Sequence, residues 1–131
     1  MIYDPADTAK VDGGSGVDTL LFTGAELVLD FDNARNIENI EVIDLTGSGN
    51  NTVRLDIHDV LALPDRAALF DDAPTRQLRI DGDSGDSVES TGQGWQQGDA
   101  VDIGGVSYAN YGHDDIGAQL LVDPDITVII S

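Results

Sequence analysis

The sequence predicts an all-β domain, and three observations carry that prediction. Apolar residues recur at every second position in several short stretches, glycine and aspartate cluster in the turns between them, and only residues 59–70 have helical spacing. The finer expectation is an N-terminal turn-and-strand fragment, residues 1–24, that continues into a β-rich remainder, residues 25–131, as an irregular β-sandwich or solenoid-like unit with one short helical segment. With 131 residues the chain is long enough for a single domain with a modest core.

The most informative stretch is Val11 to Phe22. Within it Gly13-Gly14-Ser15-Gly16-Val17-Asp18-Thr19-Leu20-Leu21 fits the nonapeptide G-G-x-G-x-D-x-U-x position for position, where U is a large aliphatic residue. Glycines let the backbone turn tightly and aim carbonyl oxygens inward, and the aspartate adds a charged oxygen. Leu20 then begins a strand and points into a core. Calcium takes about six to eight oxygens, more than one such turn supplies, so a second oxygen-rich segment must face it. Asp4 and Asp7, beside Pro5, and Asp12 are the nearest candidates.

Leu27, Leu29 and Phe31 share one face of the next strand. Ile43 and Leu45 alternate around Asp44, but Ile37 and Ile40 are three apart, which implies a helical turn or a bend before that strand. Val53, Leu55 and Ile57 alternate with Arg54, Asp56 and His58 in the clearest strand pattern of the chain. Just before it, Gly47-Ser48-Gly49-Asn50-Asn51-Thr52-Val53 echoes the nonapeptide with Asn51 in the aspartate position, a turn expected to close by hydrogen bonds. Asp59 and Asp65 are placed to cap two short helical turns separated by Pro64. Leu78 and Ile80 resume a strand with Arg79 outside. It runs into Asp81-Gly82-Asp83-Ser84-Gly85-Asp86-Ser87-Val88, a third echo whose Asp81, Asp83 and Asp86 form either a calcium turn or a solvated acidic hairpin.

Trp95 is the single tryptophan. It reads either as a core anchor beside a loop or as an exposed stacking platform. Gly104-Gly105 joins Val101 and Ile103 to Val106 and Tyr108 as a hairpin. Two final strands, residues 120–122 and 126–130, flank a plain turn at Asp123-Pro124-Asp125.

Asp and Glu number 25 against 6 Lys and Arg, a formal charge of -19. Partners that need clustered cations, nucleic acid and anionic membrane, do not fit this balance. With 40% hydrophobic residues there is still enough to bury, and without cysteines rigidity must come from something other than disulfides. Bound cations are one source. No basic and apolar N-terminal signal and no apolar run near twenty residues is found. Catalysis is not expected: His58 and His113 stand without a nucleophile or a defined acid pair.

Tyr3-Asp4-Pro5-Ala6-Asp7 followed by the nonapeptide resembles the end of the calcium-binding β-roll in repeats-in-toxin (RTX) proteins. More narrowly, the chain resembles the C-terminal region of large bacterial RTX adhesins exported by type I secretion. Residues 36–47, 59–63, 82–88, 120–123 and 126–128 extend that likeness over nearly the whole chain. The resemblance implies an extracellular, monomeric, calcium-dependent folding cap. It also implies an uncleaved secretion signal near the C-terminus, with the type I machinery and upstream repeats as partners and the natural chain continuing upstream of Met1. The expected calcium ligands are Asp4, Asp7, Asp12, Gly14, Gly16, Asp18, Asp81, Asp83 and Asp86. The alternative function is a calcium-dependent glycan- or surface-binding module with Trp95, Tyr108 and Tyr111 as contacts.

Overall fold

In a computed structural model the described residues are 2–3, 11–12, 18–22, 26, 28–30, 37–38, 40–46, 49–56, 76–92, 94–113 and 118–130. Among them every regular element is a strand. The all-β expectation holds, in three sheets. The helical turns expected within 59–70 lie outside the described residues.

The largest sheet takes β1 (Ile2–Tyr3), β3 (Thr19–Phe22), β6 (Val42–Asp44), β8 (Arg76–Asp81) and β13 (Ala118–Val122) in that spatial order, all parallel. A second sheet takes β4 (Val28–Asp30), β7 (Thr52–Arg54), β9 (Ser87–Ser90) and β14 (Thr127–Ile130), again all parallel. A third pairs β2 (Val11–Asp12) with β5 (Ile37–Glu38). The chain alternates between the two larger sheets: β3 then β4, β6 then β7, β8 then β9, β13 then β14. Each passage is one coil, stacked on the one before. The sandwich expectation thus gives way to the solenoid-like one, and antiparallel pairing is confined to an excursion between β9 and β13. There β10 (Gln96–Gln97) and β11 (Val101–Ile103) both pair with β12 (Val106–His113), and β12 lies antiparallel against β13.

Stacking in register explains the core. Leu20, Ile43, Ile80 and Val122 occupy equivalent places on four neighbouring strands, and each is fully buried. Opposite them Leu29, Val53 and Val88 form a second buried column that ends on the partly buried Val128. Both columns belong to one cluster with Leu45, Leu55, Leu78 and Leu120. Strands of parallel sheets covered by a facing layer are expected to be rich in such β-branched and aliphatic residues. Burying each contributes about 1.5–3 kcal/mol. The bend expected before β6 is real: β5 and β6 pair with different strands, β2 and β3 respectively.

The outer face of the second sheet carries stacked polar pairs as well as the exposed Val28 and Ile129. Thr52 Oγ1 lies 3.1 Å from Ser87 Oγ, and Arg54 Nε donates to Glu89 Oε2 at 2.5 Å. Gly104 and Gly105, with φ of 58° and 89°, make the expected hairpin turn between β11 and β12, a conformation that side chains with a Cβ resist. Trp95 is only 7% exposed and donates its Nε1–H to Ser90 Oγ at 2.7 Å, so of its two readings the core anchor is the one found.

Candidate metal centre

The two motif aspartates with described side chains, Asp18 and Asp86, lie at different corners of the coil. Asp18 leads into β3 of the large sheet, whereas Asn51 and Asp86 lead into β7 and β9 of the second sheet. The echoes at Asn51 and Asp86 do stack on each other, whereas the described end of the nonapeptide, residues 19–21, pairs with residues 42–44 of the other sheet.

At the Asp86 corner, 82–86 is a turn between sheets rather than the hairpin entertained from sequence. Gly85 has φ of 103°, and a Cβ there would stand 2.2 Å from Asn50 Oδ1, so the turn of one coil rests directly on the turn before it. Asp86 is fully buried. Its Oδ1 accepts the Asn51 N–H at 2.9 Å and its Oδ2 accepts the Asp83 N–H at 2.8 Å. The Asp86 carbonyl accepts Thr127 N–H at 3.0 Å from the following coil. The carboxylate therefore joins two coils, and backbone amides occupy both its oxygens. Charge-assisted bonds of this kind contribute about 1.5–3 kcal/mol each. The equivalent places in the neighbouring coils hold Asn51, also fully buried, and Ile126.

Asp81 faces elsewhere. Tyr108 O–H donates to its Oδ1 at 2.5 Å and Arg79 Nη2 to its Oδ2 at 3.0 Å, while the Arg79 guanidinium sits 5.6 Å from the centre of the Tyr108 ring. Arg79 lies on the face away from Leu78 and Ile80, as expected, but it is half-buried there because the Tyr108 side chain of β12 packs against it. Burial pushes the Tyr108 phenol above its ordinary range, and the hydrogen bond to Asp81 adds to the shift. Asp83 is exposed, and its N–H is the one that Asp86 holds. The three aspartates of this segment thus serve a latch, a turn and a coil-to-coil tie.

Asp18 differs. Its carbonyl accepts N–H bonds from Glu41 and Val42, both at 3.1 Å, and its N–H donates to Glu41 Oε1 at 3.1 Å. Its Oδ2 is buried and accepts no hydrogen bond. An unsatisfied buried polar group costs about 1–3 kcal/mol, more when charged. Glu41 is itself fully buried. It was not singled out from sequence, although by alternation residues 41, 43 and 45 share one face. The available signal was one acid inside the apolar run Ile40-Glu41-Val42-Ile43, where the alternation already breaks. The Glu41 carboxylate thus holds the Asp18 backbone at the joint between the first two coils. This all-oxygen donor set, with one oxygen lacking a partner, fits a hard cation such as calcium.

Of the other expected ligands, Asp12 lies on β2 with its backbone paired to Glu38, and Asp4, Asp7, Gly14 and Gly16 lie outside the described residues. Among the described residues no three acidic or histidine side chains converge on one point. A cavity of about 330 Å³ opens beside Asp30, Arg54, Asp56 and Glu89, but its walls are mainly polar, unlike the apolar lining usual for small-molecule sites. The aromatic contacts of the glycan-binding alternative are mostly covered: Tyr108 is 5% exposed, Trp95 is buried and Tyr111 packs against the core. No family model, no curated protein and no solved structure matches the chain.

Proposed function

We propose that the chain is a calcium-dependent folding cap of an RTX-type secreted adhesin, carrying the type I secretion signal in its C-terminal part. The observation that supports this reading is the buried, partnerless Oδ2 of Asp18, the aspartate of the calcium nonapeptide sequence. A cation would give that oxygen a partner, and the buried Glu41 carboxylate fixes the Asp18 backbone by accepting its N–H.

The mechanism follows from charge and from stacking. In a calcium-poor cytoplasm the acids repel and the first coil has an uncompensated group at its joint, so the chain stays loose enough for export through a narrow channel. Outside, millimolar calcium fills sites of the affinity typical of extracellular modules, about 10⁻⁴ to 10⁻³ M. A site filled at about a hundred times its dissociation constant adds about 2.7 kcal/mol, and at ten times about 1.4 kcal/mol. In stacked architectures each unit contacts only its neighbours, so one ordered coil is a template for the next. Early folding of this cap would then seed the repeats upstream of it and hinder backsliding. Asp4, Asp7, Asp12, Gly14 and Gly16 complete the set of expected ligands at the nonapeptide.

Two measurements test the reading. Circular dichroism during a calcium titration should rise from a weakly ordered to a β spectrum, with Trp95 fluorescence shifting as the tryptophan becomes buried; a spectrum already fully β in chelator would count against it. Removing residues 120–131 from the full-length secreted protein should abolish export, and undiminished export would remove the secretion half of the proposal.

A further inference from the structure

We infer that the open edge of β14 is a docking surface for a second copy of this chain, the two copies joined by antiparallel pairing of their β14 strands about a twofold axis. The inference is independent of the calcium reading and departs from the monomer that the RTX resemblance implies. Among the described residues β14 pairs with β9 alone. The corresponding last strand of the large sheet, β13, is covered by β12, and its inward residue Val122 is fully buried. On β14 the inward Val128 and Ile130 are only partly buried, although Leu29, Val53 and Val88 in the column of Val128 are fully buried. Ile129, on the outer face, is 46% exposed. Edge strands of natural sheets are usually guarded by a charge, a proline or a bulge. Residues 126–130, Ile-Thr-Val-Ile-Ile, contain no charge and no proline, and β14 pairs with β9 without a break.

The occupant follows from charge and from register. Two copies of a chain with a formal charge of -19 repel wherever their carboxylates face each other, and this strand brings none to the contact. Thr127 N–H points towards β9, where it donates to the Asp86 carbonyl at 3.0 Å, so by alternation Val128 and Ile130 turn their own N–H and C=O groups to the open edge. An antiparallel strand of the same sequence then sets Val128 opposite the partner's Ile130 as a hydrogen-bonded pair. Ile129 stands opposite its own copy on the axis, in the closer kind of pair that lacks hydrogen bonds. This register keeps inward residues on the inward face and extends the buried column across the axis. Each copy uses up the other's edge, so the contact closes at two chains. The paired surface lies at the low end of interface sizes, and association is accordingly weak and reversible.

Sedimentation of the wild-type chain in calcium should move from the mass of one chain towards twice that mass as concentration rises. The change should come sooner at about 1 M salt, where the Debye length is about 3 Å. Ile129→Lys puts a charge on the exposed outer face, away from the core, and should keep the mass of one chain throughout. The chain has no cysteine, so Ile129→Cys carries a single thiol. In the proposed register that position faces its copy with about 4.5 Å between Cα atoms, within reach of a disulfide. Mild oxidation should link it at least about ten times faster than Val28→Cys, since pairing holds the thiols at an effective concentration of about millimolar. Val28 is the matched control: it is 48% exposed, on β4 at the other edge of the same sheet. Trp95 fluorescence checks the fold of each variant. A wild-type chain that keeps the mass of one chain at every concentration, a dimer that survives Ile129→Lys, or equal linking rates for the two cysteine variants would overturn the inference.

Discussion

Asp18 and Asp86 stand in the same position of the same sequence motif, and the fold uses them in opposite ways. Asp86 is wholly buried and satisfied: two backbone N–H groups from different coils fill its carboxylate, and Gly85 lets the turn beneath Asn50 close without a side chain in the way. Asp18 is held by its backbone to Glu41, yet one of its carboxylate oxygens is buried with nothing to accept from. The first corner is complete as protein. The second has room in its chemistry for a cation. A glycine-rich acidic turn therefore does not by itself announce a metal; what distinguishes the two corners is whether amides already occupy the oxygens.

The sharpest way to break that comparison is to empty the Asp86 corner. Asp86→Ala leaves the buried Asn51 N–H and the Asp83 N–H without an acceptor, and the expected cost is about 2–4 kcal/mol, measured by denaturant unfolding. The loss should be the same in calcium and in chelator. A loss that appears only in calcium would mean that Asp86 is a ligand after all.

A smaller effect is expected at the latch by which Tyr108 of β12 holds Asp81 of β8. The raised Tyr108 phenol means that the folded state holds this proton more tightly than the unfolded chain does. Its contribution is full below the ordinary phenol value of 10.0 and drains away as pH climbs from there through the raised folded value. Tyr108→Phe should cost about 1 kcal/mol at neutral pH and should flatten that alkaline decline. Equal alkaline slopes in the two proteins would show that Tyr108 does not govern it.

Much of the framework was legible in the sequence. Alternation located Leu29, Val53, Leu55, Leu78 and Ile80 on the inner face, because a strand with one buried side must repeat every second residue. Gly104-Gly105 was readable as a hairpin turn for steric reasons, and Trp95 as an anchor. Alternation carries no information about which strand pairs with which, so the parallel stacking of β3, β6, β8 and β13 was not readable as such. The half-burial of Arg79 was not readable, because the Tyr108 side chain that covers it comes from a distant segment. Glu41 was missed for a related reason: the neighbour that makes it informative, Asp18, lies 23 residues away. The motif favoured Asp18, in the position-for-position match, over Asp86, in an echo, but could not show that backbone amides already occupy the Asp86 oxygens.

The most direct test of the account is the thermal stability of Asp18→Asn against the wild-type chain, each with and without millimolar calcium. The account predicts an inversion. In chelator the variant should match or exceed the wild type, because an uncompensated buried charge is gone, and in calcium it should fall below, having lost most of the stabilisation that the ion gives. An Asp18→Asn chain that gains as much from calcium as the wild type does would contradict it.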